Sequence, residues 1–403
     1  MNKKVLMILG GSYGQLEAIK TAKRLGLTTL VVDMNPNAIG FRYADYYEVV
    51  STTDFLGVEK VARDYGISGI LTISSDIAVP VVCYVNEQLG LPNQGWGIAK
   101  AVTDKTVMRE LFKKSGVSSP EYYIVTREDS PLEIEDKVKP ILEKHPLIVK
   151  PSDSSGSRGV QKITCMSELM AAIEYAQKFS RNKMVIIEEF IQGLEIGAQS
   201  LSIAGEMELC FIHNDKLSEN MIPIGHSLPA SLNEKQIIKI KKECQKALAS
   251  LGITHGPSNI DIIIDHLGTP YIIEIGARIG ATKLPEIVKY NSGIDLIELA
   301  IRMAIGEKIN LPTAKNKPVA VEMLYFNTCS EIQYNSKKMK EAIEPYNPLE
   351  YHISLPENNF VHPLNSGVDV YGHVICTGET SLEAEENCAE LMGIIKSGLT
   401  YLK

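Results

Sequence analysis

The segment PLIVKPSDSSGSRGV, residues 146–160, decides the fold, because an apolar run ends there in a loop of small polar residues. The run is typical of a buried strand that closes on Lys150, and a second strand is expected from Val160 to Ile163. The serines and glycines between them have N–H groups and hydroxyls that can fold over a polyphosphate, and the lysine adds a fixed charge. Taken alone, the loop also fits a flexible surface hairpin.

A second apolar strand, 38 residues after Lys150, ends in carboxylates: EEFIQGLE, residues 188–195. Acidic side chains followed by glycine and another carboxylate are typical of a hinge. Its backbone can bind the edge of an adenine ring, while Glu195 accepts hydrogen bonds from ribose hydroxyls. The alternative is an acidic turn exposed to water.

Further polar side chains lie on two consecutive strands, NID at residues 259–261 and EIGAR at residues 274–278. Carboxylates on adjacent strands, here Asp261 and Glu274, can converge on hard cations that bridge phosphates. Arg278 follows closely enough to reach a transferred phosphoryl group. The alternative is that the two carboxylates are structural partners of Arg278. That alternative fits any one of the three residues, but it explains all three together poorly when they lie beside a phosphate loop.

The first ninety or so residues alternate strands and helices, with the turn GGSYG at residues 10–14. This alternation predicts a parallel-sheet, Rossmann-like domain over residues 1–97. Asp33 closes the second strand, as in a dinucleotide site, but the G-x-G-x-x-G spacing is absent, so NAD is disfavoured. We interpret Gly11 and Ser12 as substrate contacts, with a generic tight turn as the alternative.

The remaining chain divides into two predicted units. Residues 98–310 mix helices and strands, with a small lobe at about 118–190. Residues 311–403 contain a strand near Val319 and a closing helix from Ser381 to Ile395, which predicts a small α+β domain. The predicted fold class is therefore α/β and α+β, with the parallel-sheet domain first.

Composition excludes several functional classes. The chain has 403 residues and a formal net charge of −8, which argues against a nucleic-acid-binding surface. Its seven cysteines contain no CxxC pair, which indicates a reduced protein without a zinc site or disulfide framework. No apolar run approaches the ~20 residues that a membrane span needs. We expect a cytoplasmic protein with small-molecule substrates, and a homodimer stays open.

In order and spacing, these segments resemble the ATP-grasp superfamily over residues 98–310. The matching elements are Asp104-Lys105, Pro146–Lys150, Ser154–Val160, Glu188–Glu195, Asp261 and Glu274-x-x-x-Arg278. The first domain looks like the one that precedes the grasp in purine-biosynthetic and carbamoyl-phosphate-synthase-like members. The tail, with YGHVI at 371–375 and GET at 378–380, is similar to the C-terminal domain of amino-acid ligases. The resemblance implies a two-lobed ATP-grasp fold between these two domains.

The resemblance also implies a role in ATP binding for each matching position. The phosphates would contact two lysines and a mobile lid: Lys105, Lys150, Gly156, Ser157 and Arg158. In the hinge that begins at Glu188, the Glu189 carbonyl and the Ile191 amide would hold adenine, and Glu195 would hold the ribose.

Metal and catalytic roles follow from the same resemblance. Asp261 and Glu274 would hold Mg²⁺ (or Mn²⁺), and Arg278 would stabilise the acyl phosphate. Lys216 would reach the γ-phosphate, with a solvated lysine as the alternative. His226 and His255 are candidates for the acceptor pocket, each against the alternative of a structural histidine.

One position departs from the superfamily pattern Glu-x-Asn-x-Arg. Gly276 stands at the asparagine and supplies no side-chain oxygen, so one metal site lacks a ligand. Asn259 lies two residues before Asp261, on the same face of its strand, and is predicted to compensate. Otherwise the second magnesium is held more loosely or by water.

The implied reaction is ligation of a carboxylate to an amine through an acyl phosphate, giving an amide, ADP and phosphate. An amino-acid ligase is the favoured type, and a purine-pathway phosphoribosylamine–glycine ligase is the alternative. Two further alternatives belong to other classes: a non-catalytic ATP-binding sensor, and an NAD-dependent oxidoreductase built on the N-terminal turn.

Overall fold

The chain begins with a parallel sheet between helices. The fold is taken from a computed structural model that describes residues 3–402, so the outermost positions of the first and last predicted domains, 1–2 and 403, lie outside it. The elements are β1 (Val5–Leu9), α1 (Leu16–Arg24), β2 (Thr28–Asp33), β3 (Tyr46–Val49), α2 (Phe55–Tyr65), β4 (Gly69–Leu71) and α3 (Val79–Leu89). The strands are parallel in the order β3-β2-β1-β4, which confirms the predicted N-terminal sheet.

The alternation of side chains along β1 explains this layering. Leu6 and Ile8 pack in one core cluster with Ile19 of α1, whereas Met7 and Leu9 pack in another with residues of α2 and α3. All four strand residues are fully buried. A strand covered on both faces needs apolar side chains on both faces, as this run has.

A small antiparallel lobe follows. After α4 (Lys105–Lys114), its elements are β5 (Tyr122–Val125), α5 (Pro131–Leu142), β6 (Leu147–Pro151), β7 (Gln161–Ile163), α6 (Leu169–Phe179) and β8 (Val185–Glu189). The strands are ordered β5-β8-β6-β7. α4 begins at Lys105, because the Asp104 side chain accepts from the Thr106 amide and caps the helix there.

The largest layer is an eight-stranded antiparallel sheet. The first strands of this sheet and the helices that follow them are β9 (Gly193–Ile203), β10 (Glu206–Leu217), β11 (Pro223–Leu228), α7 (Glu234–Ser250), β12 (Gly256–Asp265), β13 (Pro270–Gly276), α8 (Leu284–Ser292) and α9 (Leu296–Ala304). The chain continues with β14 (Val319–Met323), β15 (Ser330–Gln333), α10 (Ser336–Ile343), β16 (Glu350–Ile353), β17 (Phe360–Val361), β18 (Gly372–Thr377), α11 (Ser381–Ser397) and β19 (Thr400–Leu402). The strand order is β13-β12-β9-β10-β11-β14-β18-β16, with a separate sheet β17-β15-β19.

This order means that the large sheet crosses the predicted boundary at residues 310 and 311. β14, β18 and β16 come from the C-terminal segment but extend the sheet begun by β9 to β13. Main-chain hydrogen bonds therefore join the last two predicted units, although the domain limits themselves stay predictions. No helix within residues 3–402 has the length and apolar character needed to cross a bilayer.

The N-terminal sheet packs directly on the large sheet and its helices. Leu6, Ile8 and Ile19 share a core cluster with Ile287 of α8 and Ile301 of α9. The loop after β4 then meets the loop after β13, where the Ser74 amide donates to the Ile279 carbonyl over 3.1 Å. This contact brings the end of the parallel strand β4 close to β12 and β13, the two acidic strands that carry Asp261 and Glu274.

Candidate nucleotide and metal site

Two neighbouring strands place four positions as a square on one face. In the antiparallel pair β12 and β13, Asn259 lies opposite Gly276, and Asp261 lies opposite Glu274. The Asp261 side chain is open to solvent, but the protein around it reduces its hydration, and this desolvation together with the Glu274 carboxylate raises the pKa of Asp261 to about 7. Two hard oxygen donors that repel each other in this way suit a divalent cation, so the donor set fits Mg²⁺ or Mn²⁺.

The orientation of the Asn259 amide is decided by its neighbours. The Gly280 amide, which can only donate, gives its hydrogen to Gln199 Oε1 over 2.8 Å. Gln199 Nε2 must therefore donate, and Asn259 Oδ1 accepts over 2.6 Å. Asn259 Nδ2 then faces Asp261 Oδ1 at 2.9 Å. The Asn259 amide therefore positions Asp261. The role of Asn259 as a metal ligand stays a prediction, because its oxygen would first have to leave Gln199.

Lys105 links the acidic strands to the polar loop. The buried ammonium lies 2.8 Å from Glu274 Oε1 and donates to the Ser154 carbonyl over 2.7 Å. The Lys105 amide also donates to the Ser152 carbonyl. The positive charge predicted to meet phosphate therefore lies between a predicted metal ligand and the loop.

Lys150 belongs to a buried charge network. Glu188 Oε2 lies 2.7 Å from Lys150 Nζ, and Glu188 Oε1 lies 2.7 Å from Arg109 Nε. Arg109 also donates to the Ile273 carbonyl of β13 over 2.7 Å. Burial would raise the pKa of Glu188, but the two cations outweigh it and lower that pKa. The network fixes Lys150 and joins the small lobe to the acidic strands.

The sequence reasoning missed Arg109. Its side chain is fully buried, between Met108 and Phe112 on the inward face of α4. Phe112 follows Met108 by four residues and Arg109 by three, which places these side chains on one helical face, so a charge within an apolar stripe was the available signal. A buried arginine needs an anionic partner, which Glu188 provides.

Arg278 is held by a carboxylate that the sequence reasoning also missed. Its Nε lies 2.7 Å from Asp76 Oδ1, and its Nη2 donates to Asp76 Oδ2 over 2.8 Å. Burial would raise the pKa of Asp76, but Arg278 outweighs it and lowers that pKa. Asp76 lies in the loop after β4, and loops at the carboxyl ends of parallel strands commonly bind ligands. Its place in this loop was the sequence signal that could have identified Asp76.

The predicted hinge connects β8 to β9. Glu189 Oε1 accepts from the Glu121 amide over 2.9 Å, which fixes the start of the hinge. Ile191 lies in the connection between the strands, and Glu195 lies on β9 opposite Ile263 of β12. Burial and the charge of Asp215 raise the pKa of Glu195. The adenine and ribose roles of these residues stay predictions.

The predicted lid is a loop with left-handed residues that leans on the large lobe. Gly156 and Ser157 have φ values of 67° and 58°. Ser157 Oγ donates to the Met221 carbonyl over 2.9 Å, and Arg158 Nε donates to the Ser155 carbonyl over 3.1 Å. The loop borders a cleft whose other walls include Asp76, Thr103 and Glu274. The lid and the acidic strands therefore face one space.

The comparisons agree with this geometry. Residues 111–303 match the family described as "D-ala D-ala ligase C-terminus". A D-alanine–D-alanine ligase of Acetivibrio thermocellus is 32% identical over 239 residues, covering 54% of this chain and 62% of the relative. The crystal structure of phosphoribosylglycinamide synthetase from Anaerococcus prevotii superposes with a TM-score of 0.78 at 26% identity, covering 100% of both chains.

The chain is therefore similar in sequence and in fold to the ATP-grasp carboxylate–amine ligases.

A longer relative matches this chain in sequence over one part of its length. The carbamoyl phosphate synthase large chain of Caldanaerobacter subterraneus subsp. tengcongensis is 25% identical over 310 residues, which cover 74% of this chain. The match spans only 27% of that relative's length. The similarity therefore supports the ATP-grasp assignment without carrying over the activity of the longer protein.

Lys216, predicted to reach the γ-phosphate, lies near the C-terminal end of β10 in the large sheet. Its ammonium is half exposed and lies 2.8 Å from Glu322 Oε2 on β14. The structure thus gives it a partner outside the cleft, and its phosphate contact stays a prediction.

His226 forms a buried cluster with residues of β10. Its Nδ1 lies 2.6 Å from Asp215 Oδ1, and His213 Nδ1 lies 2.8 Å from the same oxygen. Burial would raise the pKa of Asp215, but the two imidazoles hold it well below its usual range. Neither Nε2 atom has a hydrogen-bond partner within residues 3–402. His226 is therefore paired with Asp215 inside the protein, and its role in the acceptor pocket stays a prediction.

The N-terminal turn binds its own residues. The Gly11 amide donates to Asp33 Oδ2 over 2.7 Å, and Ser12 Oγ donates to Gln15 Oε1 over 2.6 Å. In a dinucleotide site, the carboxylate at the position of Asp33 would bind a ribose. Here Asp33 accepts from the Gly11 amide instead, which disfavours NAD. His255 lies elsewhere, half-buried before β12. The four predicted substrate positions therefore do not form one group.

We predict that the lid becomes ordered when nucleotide binds. Residues 154–159 are small or polar and bury little apolar surface, so their amides should exchange quickly without a ligand. Hydrogen exchange should slow there on addition of Mg-ATP, with the buried strand 196–202 as an unchanged control. Equal protection of the lid with and without nucleotide would contradict this.

Proposed function

We propose that the chain is an ADP-forming ligase that uses Mg-ATP to activate a carboxylate for attack by an amine, and that it is of the amino-acid-ligase type. The observation that carries the proposal is the convergence of Asp261, Glu274 and Arg278 with Lys105 beside the lid. This grouping supplies oxygen ligands, fixed positive charge and a mobile cover, which are the needs of phosphoryl transfer.

Activation is required because a carboxylate is a poor electrophile at neutral pH. In the first step, a carboxylate oxygen bonds to the γ-phosphorus of ATP while the bond to ADP breaks. In the second, the amine attacks the acyl carbon, loses a proton, and phosphate leaves. Arg278 and Lys105 would hold the charge of the transferred group, and a bound divalent cation would neutralise the other phosphate oxygens. The closed lid would exclude water from the acyl phosphate.

Two substrate classes have support. Amino acids come first, because the D-alanine–D-alanine ligase relative is 32% identical to this chain. A phosphoribosylamine-type amine with glycine comes second, because the phosphoribosylglycinamide synthetase structure covers the whole chain. Fold similarity does not select between them.

An ADP-release screen tests the function. The enzyme should release ADP only when Mg-ATP, one carboxylate and one amine are all present, with amino-acid pairs tested beside a phosphoribosylamine-type amine and glycine. Turnover with amino acids supports the proposed type, and turnover with the ribosyl amine supports the second. Nucleotide binding without turnover by any pair would instead support an ATP-binding sensor.

We predict that Mg-ATP raises the thermal midpoint of unfolding, whereas NAD and NADP leave it unchanged. A ligand that binds only the folded state adds about 2.7 kcal/mol of stability at a hundred times its dissociation constant. Differential scanning fluorimetry with each nucleotide provides the measurement. A large shift with NAD and none with Mg-ATP would overturn the assignment of the site.

A further inference from the structure

We propose that Asp76 completes the metal site by supplying the oxygen that Gly276 lacks. The inference rests on the proposed function, because it assumes that the cleft binds Mg-ATP. It assigns a ligand from the N-terminal domain to a site otherwise built from the large sheet.

The first observation is the space above Gly276. A Cβ atom on this glycine would lie 2.7 Å from Asp76 Oδ1, closer than real Cβ contacts allow. Gly276 lies across from Asn259, and Asp261 and Glu274 occupy the other two corners of the square. The Asp76 carboxylate therefore occupies the corner where a side chain at position 276 would begin. A side chain at position 276 would therefore have to displace the Asp76 carboxylate.

The second observation excludes the nearest substitute. Asn259 Oδ1 accepts from Gln199 Nε2, whose own amide is oriented by the Gly280 N–H group. The nitrogen of Asn259, which has no lone pair for a metal, faces Asp261. The two strands thus supply two carboxylates, one N–H group that donates to Asp261, and no side chain at Gly276, so any further oxygen must come from another segment.

The third observation is that Asp76 is held in place but can still bind. Arg278 approaches each of its oxygens once, at 2.7 and 2.8 Å. A carboxylate oxygen has two lone pairs, so each keeps one for a cation. Asp76 and Glu274 also border the same cleft. An oxygen fixed beside the acidic strands costs little reorganisation when Mg²⁺ binds.

The charges near the square agree with this role. Three carboxylates, Asp76, Asp261 and Glu274, lie near two cations, Arg278 and Lys105. The excess negative charge and the all-oxygen donor set suit Mg²⁺ or Mn²⁺. Asp76 would then serve both as a ligand and as the partner that orients Arg278.

The test measures Mn²⁺ binding by electron paramagnetic resonance in the presence of ADP. Asp76→Ala should weaken binding at one of the metal positions by at least about tenfold, the lower end of the loss seen for outer partners of metal ligands. Asp76→Ala combined with Gly276→Asn should regain the affinity, because the second change introduces the superfamily's oxygen where the clash has been removed. Gly276→Asn alone should not improve binding, because Asp76 fills the space.

Arg278→Gln separates a ligand from a positioning residue. It removes the partner of Asp76 but keeps the carboxylate, so Mn²⁺ affinity should fall much less than in Asp76→Ala. If Asp76→Ala is poorly folded by circular dichroism, Asp76→Asn provides the comparison and should show a smaller loss. Wild-type affinity in the correctly folded Asp76 variant would overturn the proposal while leaving the proposed function intact. Failure of the wild-type protein to bind Mn²⁺ and nucleotide would overturn both.

Discussion

Arg278→Lys should lower kcat on the order of a hundredfold or more while ATP binds almost normally. Arg278 uses Nε and Nη2 to hold Asp76 and keeps further donors for a phosphoryl group. A lysine keeps the charge but has no planar fork, so it cannot make both contacts at once. An interaction made mainly in the transition state affects kcat, whereas lost ground-state binding mainly raises KM.

The measurement is steady-state ADP release with the substrate pair found in the screen, together with the thermal shift produced by ATP. Glu274→Gln is the matched comparison in the same cleft. It removes a charged metal ligand, so it should weaken magnesium-dependent nucleotide binding as well as turnover. Near-normal kcat for Arg278→Lys would show that Arg278 is only a structural partner of Asp76.

Glu188→Gln should destabilise the small lobe by about 3–5 kcal/mol, because it leaves two buried cations without their anion. Glu188 lies within 2.7 Å of both Lys150 Nζ and Arg109 Nε, and all three side chains are buried. The folded state lowers the pKa of Glu188. Its contribution is therefore present above the unfolded-state pKa of about 4.3 and is lost as the pH falls through the lowered value.

Urea unfolding at neutral pH, combined with hydrogen exchange of β5 to β8, provides the measurement, since a chain of several domains need not unfold in one step. Glu189→Gln is the control at the adjacent position. Glu189 accepts one backbone hydrogen bond from Glu121 and is only half-buried, so its replacement should cost about 1 kcal/mol. Equal effects of the two substitutions would show that the buried network contributes no special stability.

The sequence was informative where neighbours in the chain are also neighbours in space. Asp261 and Glu274 lie opposite each other because two short strands joined by a tight turn pair with their nearest residues, and their spacing alone predicted this. The alternation of strands and helices likewise predicted the first sheet. The long strands β9 to β11 were not predicted, because buried polar residues such as Gln199, Ser200 and Ser202 interrupt the apolar run that would indicate a buried strand.

By itself, the sequence determined the parallel N-terminal sheet, the polar loop after Lys150 and the pairing of the acidic strands. Only the tertiary structure decided which charges meet. Arg109 and Glu188 are 79 residues apart, and Arg278 and Asp76 are 202 apart. Propensity and periodicity describe short stretches of chain, whereas the energy of a charge depends on its burial and its partner. Packing of separate layers sets both, and it also turned Gly276 from a missing ligand into the space that Asp76 occupies.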